Sequence, residues 1–238
     1  PTTIELEKLA AEITGKEAAI FVLSGTMGNQ LSIMSQTRRA DQILLGAHAH
    51  IIEHECGAPA VLSGVNFRLI FNPDDRIYPA DIENYVTPED VHMPHTTLLC
   101  LENALGNGTV VPLDVMKEDY ETAHRMGLRV HLDGARLFNA AHALHCDVKD
   151  ITQYCDSVTF CLSKGLSAPI GSMICGGKEF IARVKRNRKL VGGGLRQSGY
   201  LAAAGIYALN HMVDRLQDDH DNAAYLAEKL YALHYFYI

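Results

Sequence analysis

Apolar runs of strand length alternate along the chain with segments in which apolar residues recur at helical spacing. The strand-like runs cover residues 18–23, 42–45, 96–101, 128–133, 157–165 and 170–175, and weaker ones cover 60–62 and 68–71. The helical segments cover residues 2–14, 27–36, 79–86, 113–126, 137–144, 178–189, 199–216 and 222–233. Because the strong strand runs lack a polar face, they predict strands buried on both sides. The predicted fold class is therefore α/β, with a mainly parallel sheet covered by helices on both faces.

Polar residues follow several of these runs where the strands end. Lys164 ends the run 157–165, Asp133 is followed by Gly-Ala-Arg136, and Glu102 follows the run 96–101. On its own, a lysine at a strand end more often extends into water. Open α/β sheets, however, bind their ligands at the carboxyl ends of their strands. We therefore expect one cleft that holds the Lys164 amine, the Asp133 carboxylate and an anion-binding arginine.

This combination of groups matches the chemistry of pyridoxal phosphate. That cofactor bonds to a lysine amine and needs a carboxylate at its pyridine nitrogen, and Lys164 and Asp133 fit these two roles. Its phosphate needs backbone N–H groups where a helix begins. Ser24, Gly25 and Thr26 lie between a predicted strand and a predicted helix, so they are the candidates for the phosphate site.

Two further segments have both a structural and a functional interpretation. His48 and His50 follow the run 42–45, and either ring is a structural histidine or stacks on the cofactor. Three consecutive glycines, 192–194, precede Arg196. They form either a flexible connector or a backbone nest in which Arg196 contacts an anion. The residues alone leave both questions open.

Composition excludes several classes of protein. The chain has 238 residues, 21% charged and 47% apolar, which predicts one large or two unequal globular domains. A net charge of −7 argues against a nucleic-acid partner. No apolar run approaches the roughly 20 residues that span a bilayer, and no signal peptide opens the chain. Six cysteines without CxxC spacing predict reduced thiols. We expect a cytoplasmic protein without a metal site, and an organellar location after removal of a presequence is the alternative.

Four motifs occur in a fixed order in the second half of the chain: LDGARLFN at 132–139, ITQYCDS at 151–157, CLSKG at 161–165 and GGGLRQSG at 192–199. They resemble motifs of the low-specificity L-threonine aldolases, pyridoxal-phosphate enzymes of the aspartate-aminotransferase-like class. The resemblance extends over nearly the whole chain. It implies cleavage of L-threonine, L-allo-threonine and related β-hydroxy-α-amino acids to glycine and an aldehyde. It also implies a homotetramer with active sites at dimer interfaces.

The same resemblance implies roles for individual residues. Lys164 forms the Schiff base, Asp133 pairs with the pyridine nitrogen, and His50 rather than His48 lies over the ring. His50, or a water that it positions, is then the candidate base for the β-hydroxyl proton. Arg136 binds the substrate carboxylate beside the cofactor. The residues that bind the phosphate are then Ser24, Gly25, Thr26 and Arg196.

The chain departs from the family pattern in three places. Ala104 and Leu105 follow Glu102-Asn103, where family members often have Thr-His. A family serine would precede Pro1, and the small C-terminal domain with a second carboxylate-binding arginine is largely absent. We therefore expect a cofactor-binding large domain at 1–205 and a helical connector into a truncated domain at 206–238. Two alternatives remain: an aminotransferase or β-eliminating lyase with the same lysine and aspartate, and an inactive cofactor-binding protein.

Overall fold

The computed structural model describes residues 1–233, and a seven-stranded mixed sheet forms its centre. The strands are β1 (Ala18–Val22), β2 (Gln42–Gly46), β3 (Asn66–Ile70), β4 (Thr96–Glu102), β5 (Arg129–Asp133), β6 (Ser157–Cys161) and β7 (Ser172–Gly176). Their order is β1-β7-β6-β5-β4-β2-β3. The pairs from β6 through β3 are parallel, and β7 is antiparallel to both β1 and β6. The carboxyl ends of the parallel strands therefore share one edge of the sheet.

Ten α-helices surround the sheet within the described residues. They are α1 (Thr2–Thr14), α2 (Gly25–Gln36), α3 (His50–Glu53), α4 (Pro79–Tyr85), α5 (Leu113–Arg125), α6 (Leu137–Ala143), α7 (Val148–Thr152), α8 (Lys178–Leu190), α9 (Gly199–His211) and α10 (Leu216–Tyr231). Along the central strands, alternate residues pack to opposite faces. Ile43 of β2 belongs to a core with Ile33 of α2, whereas the next residue, Leu44, belongs to a core with Met116 of α5. Helices thus cover both faces, as the apolar runs predicted.

Helix α2 lies unusually close to the sheet. Gly28 faces Thr159 of β6, and a Cβ at this position would collide with the threonine side chain. Glycine is therefore required for the close approach of helix and strand. This contact brings the next residue, Asn29, to the end of β5, where it takes part in the site described below.

Two helix ends differ in how well the sequence predicts them. The first helix ends at Gly15, whose φ of 64° is the left-handed conformation that favours glycine. The start of this helix has no such sequence signal, because Pro1 is the N-cap and no side chain caps the helix. The backbone N–H of Glu5 instead bonds to the Pro1 carbonyl oxygen at 3.0 Å.

One predicted strand and one predicted helix boundary are also wrong. Residues 60–62 form part of a π-helical turn (Pro59–Ser63), not a strand, and Val61 is 75% exposed, so it lacks the burial of a central strand. The last helices are interrupted at residues 212–215 rather than near 220. Asp218 and Asp219 lie in the first turn of α10, where negative charge interacts favourably with the helix dipole.

The two-domain division stays a proposal. The boundary proposed at residue 205 falls inside α9, which packs against α1. Residues 234–238, at the end of the proposed second unit, lie outside the described residues. Within the described part of the chain, no helix combines the length and apolar character needed to cross a membrane.

Candidate active site

A cavity of about 310 Å³ opens at the sheet edge where the parallel strands end. Its lining includes Gly46 at the end of β2, Glu102 at the end of β4, Asp133 at the end of β5 and Lys164 from the loop after β6. Residues that are distant in sequence meet here because parallel strands present their carboxyl ends together. This size and position are typical of a small-molecule site.

Lys164 lies three residues beyond the end of β6, so it belongs to a loop and not to the predicted strand. Its ammonium group lies close enough to Asp133 and Glu102 to favour the charged form of both carboxyls. Arg136, the N-cap residue of α6, lines the same cavity. The structure thus brings together the amine, the acid and the arginine expected from the sequence.

Asp133 is a buried carboxylate with two defined hydrogen-bond donors. The Ala135 N–H donates to Oδ1 at 3.1 Å, and Asn29 Nδ2 donates to Oδ2 at 2.6 Å. Burial raises the pKa of Asp133, while the hydrogen bond from Asn29 and the charge of Lys164 lower it. Two donors to a carboxylate favour its ionised form.

A chain of hydrogen bonds behind Asp133 fixes the orientation of Asn29. Burial lowers the pKa of His131 to about 3, so its ring is neutral. His131 Nε2 lies 3.1 Å from Asn29 Oδ1, an acceptor, so Nε2 carries the proton. The other ring nitrogen, Nδ1, then accepts from Ser157 Oγ at 2.9 Å. With Asn29 Oδ1 occupied in this way, its NH₂ group must face Asp133.

His50 begins the short helix α3 and lines the cavity. Its backbone N–H donates to Glu102 Oε2 at 2.9 Å, and its Nδ1 lies 3.1 Å from Glu55 Oε1. Burial raises the pKa of Glu102 to about 7, although the bond from His50 N lowers it. His48, by contrast, is largely exposed and pairs with Glu53 at 2.7 Å. Of the two histidines, His50 is the one joined to the carboxylates of the site.

Three of the predicted phosphate residues lie at the start of α2, outside the cavity lining. Ser24 is the N-cap, and its Oγ accepts from Met27 N at 3.1 Å. A Cβ at Gly25 would lie 3.0 Å from Cys161 Sγ, so the glycine lets the start of α2 pack closely against the end of β6. Thr26 follows in the first turn. Arg196 lies exposed on the loop between α8 and α9, outside the cavity lining.

The sequence did not single out Asn29, Glu55 or His131. The histidine had a detectable signal, because residues two apart on a strand face the same side and His131 therefore shares the Asp133 face. Glu55 lies beyond α3, and only the folded chain shows its contacts. One side-chain atom from each of His50, Glu55 and Asp133 could ligate a metal ion, and these three atoms lie within 4.8 Å of one another. Here the Asn29 amide joins the two carboxylates.

Asp119 of α5 also lines the cavity and is predicted to make stability depend on pH. Its Oδ1 is buried and has no hydrogen-bond partner in the described structure. Burial raises its pKa to about 8, against roughly 4 in an unfolded chain. The native protein then holds a proton that the unfolded chain has lost between about pH 4 and pH 8. The free energy of unfolding should fall as pH rises through this window, by at most about 5 kcal/mol.

Asp119→Asn should remove the part of this fall that Asp119 causes, so the variant should lose less stability between low and high pH than the unmutated protein. Urea unfolding at pH 5 and pH 8 measures it, with Asp114→Asn as an exposed control in the same helix. Parallel changes in the variant and the unmutated protein would show that Asp119 is ionised in the fold.

Comparisons with known proteins agree with this arrangement. The family model described as beta-eliminating lyase matches residues 1–237. The chain is 48% identical over 231 residues to the low specificity L-threonine aldolase of Escherichia coli strain K12, covering 97% of this chain and 69% of that protein. It is 46% identical over 236 residues to the probable low-specificity L-threonine aldolase 2 of Arabidopsis thaliana, covering 97% of this chain and 66% of the relative. The chain thus spans about two thirds of the length of these relatives.

Solved structures show the same fold. The threonine aldolase of Leishmania major superposes with a TM-score of 0.88 at 22% identity, covering 98% of this chain and 70% of that one. The putative L-allo-threonine aldolase of Listeria monocytogenes gives 0.81 at 21% identity, covering 95% and 62%. The predicted fold class, with its aspartate-aminotransferase-like sheet, is confirmed. The chain therefore belongs to the beta-eliminating lyase family and, within it, to the group of the low-specificity L-threonine aldolases.

Proposed function

We propose that this protein is a pyridoxal-phosphate-dependent carbon–carbon lyase that cleaves L-threonine, L-allo-threonine and related β-hydroxy-α-amino acids to glycine and an aldehyde. The observation that carries the proposal is the meeting of Lys164, Asp133, Arg136 and His50 at one cavity, in a chain 48% identical to an L-threonine aldolase. Alternative family chemistries would use the same lysine and aspartate and differ in the bond that is broken.

The residues present fit the proposed cofactor. The cavity supplies a primary amine, from Lys164, and a buried carboxylate at the end of β5, from Asp133, whose two protein donors leave lone pairs for a further N–H. The start of α2, where Gly25 packs against Cys161 at the end of β6, offers backbone N–H groups for the phosphate. When bound, the cofactor supplies an electron sink for the electrons of the broken bond.

The side chains of the protein then divide the remaining work. Arg136 binds the substrate carboxylate, which orients the Cα–Cβ bond for cleavage. A base must take the proton of the β-hydroxyl as that bond breaks and the aldehyde forms, and His50, or a water that it holds, is the base we propose. Asp133 keeps the cofactor nitrogen protonated through its negative charge. Lys164 would hold the cofactor through its side-chain amine.

Product analysis tests the proposed function. L-threonine, L-allo-threonine and phenylserine are supplied separately to cofactor-loaded protein, and glycine, aldehyde, oxo acid and ammonia are quantified. Equal amounts of glycine and aldehyde support an aldolase. An oxo acid or ammonia as the main product would assign the protein to another reaction, and no product from cofactor-loaded protein would contradict a catalytic role.

Assembly and location are further parts of the proposal. We propose a cytoplasmic homotetramer with active sites at dimer interfaces, on the basis of the family resemblance. The exposed position of Arg196 supports this assembly, because a neighbouring subunit offers a way for it to complete a phosphate site. Light scattering of the purified protein measures the subunit number.

Leu105 is expected to limit stereochemical discrimination. Ala104 and Leu105 line the cavity, so the wall has no polar group where family members often have a histidine. An apolar wall separates such similar substrates by only about 1–3 kcal/mol, or roughly 5- to 150-fold, whereas a dedicated hydrogen bond does more. We expect the unmutated protein to cleave both threonine diastereomers and phenylserine. Leu105→His should increase the ratio of the two kcat/KM values.

Leu105→Met is the matched control, since it changes shape without adding a hydrogen bond. A preference above a few hundredfold in the unmutated protein would mean that another polar group, such as His48 or His50, already reads the hydroxyl.

A further inference from the structure

Glu55 is a buried carboxylate that lies against the site without contacting Lys164 or an arginine. Its side chain is 0% exposed, and three nitrogen atoms converge on it. Asn29 Nδ2 lies 2.9 Å and His50 Nδ1 3.1 Å from Oε1, and Gln30 Nε2 lies 2.5 Å from Oε2. A buried carboxylate is costly unless hydrogen bonds satisfy it, so these contacts decide what Glu55 can do.

The donor and acceptor roles in this cluster are fixed by chemistry. Amide nitrogens only donate, so Asn29 and Gln30 require Glu55 to accept. Burial raises the pKa of Glu55. The hydrogen bonds from Asn29 and Gln30 act in the opposite direction and favour its ionised form. An ionised carboxylate cannot donate to His50, so the contact at 3.1 Å requires a proton on His50 Nδ1.

The consequence for His50 is a defined tautomer. A neutral imidazole with its proton on Nδ1 has its lone pair on Nε2. The His50 side chain is 38% exposed and lines the cavity, whereas Nδ1 faces the buried Glu55. The basic nitrogen is therefore the one left free for the cavity.

We propose that Glu55 is a positioning residue that holds His50 as the Nδ1–H tautomer and so presents Nε2 as the base toward the β-hydroxyl of the substrate. The inference rests on the proposed function, because it assigns the base of that reaction. The Asn29 amide keeps Glu55 in place, since it donates to Glu55 and to Asp133 at once. The base and the carboxylate of the cofactor site are thereby held by one side chain.

The tautomer can be measured without activity. Long-range ¹H–¹⁵N correlation spectra of histidine-labelled protein without cofactor distinguish Nδ1–H from Nε2–H, and His50→Phe identifies the His50 signals. We expect the Nδ1–H pattern for His50. An Nε2–H pattern in the unmutated protein would overturn the proposal, whether or not the protein is an aldolase.

Glu55→Gln tests the consequence for catalysis. The variant should fold, because Gln30 Oε1 has no partner in the described structure and can rotate to accept from the new amide. A neutral acceptor binds Nδ1–H more weakly than a carboxylate does. We expect kcat for threonine cleavage to fall about 10- to 100-fold, with KM and cofactor affinity changed less than about 3-fold.

Two comparisons separate positioning from a general structural effect. Asp90→Asn removes a similar but exposed carboxylate–histidine contact, to His92 at 2.8 Å and outside the cavity, and should leave kcat unchanged. In a His50→Phe background, adding Glu55→Gln should have no further effect on kcat, because the residue through which Glu55 acts is gone. A full additional loss in that background, or an unchanged kcat in the single variant, would overturn the proposal. If the NMR pattern is as expected but no glycine forms, the tautomer assignment stands and the proposed function fails.

Discussion

Lys164→Ala should abolish turnover and the visible absorbance of lysine-bound cofactor. Lys164 is the lysine that lines the cavity, so no other amine of the described chain stands where the cofactor carbonyl must be. Removal of a group that forms a covalent bond in the reaction cannot be compensated by its neighbours. We expect a loss of at least about 10³-fold in kcat, by analogy with other groups essential to catalysis.

The matched control is Lys117→Ala, which replaces an exposed lysine on α5 and should retain full activity. Both proteins are also reduced with borohydride and digested. A lysine adduct that persists in Lys164→Ala would show that another amine holds the cofactor and that the assignment is wrong.

The sheet is the part of the fold that the sequence predicts best. Runs such as Val158 to Cys161 are apolar on both faces, and only a sheet covered by helices on both sides buries such strands. The direction of a strand is a different matter. β7 has the same apolar character as its neighbours but is antiparallel to them. The apolar pattern does not predict this, because hydrophobicity carries no information on strand direction. Direction follows from the connection, and the ten residues between β6 and β7, without a helix, are fewer than the dozen or so that a parallel crossover needs.

The site likewise contains residues that the sequence predicts and residues that it does not. Lys164 and Asp133 could be predicted to meet, because each follows a buried strand and parallel strands end at one edge. Asn29 could not, since a polar residue in a helix usually faces water, and only the close packing of Gly28 on Thr159 turns it inward. Glu55 likewise depends on tertiary contacts with α2. Residues that act directly on a ligand follow from their position on elements, whereas the residues that orient them follow from packing.

Asp133→Asn should leave the cofactor bound but reduce catalysis by roughly 30- to 1000-fold. A neutral amide cannot keep the pyridine nitrogen protonated while negative charge develops, and loss of such a preorganised charge costs about 2–4 kcal/mol in the transition state. The surrounding hydrogen bonds add a second effect. An asparagine that still accepts from Ala135 N would point its own NH₂ group at the NH₂ group of Asn29.

Rotation of the Asn29 amide would remove that conflict. It would also break the bond from His131 Nε2 to the Asn29 carbonyl oxygen. The chain of bonds behind the site therefore makes position 133 specific for a carboxylate. Kinetics and cofactor affinity are measured together, with Asp156→Asn as the control. Asp156 accepts a backbone bond from Val130 at the opposite end of the sheet, so its replacement should lower stability without lowering kcat. A rate for Asp133→Asn within about threefold of the unmutated protein would mean that the charge of Asp133 is not what stabilises the transition state.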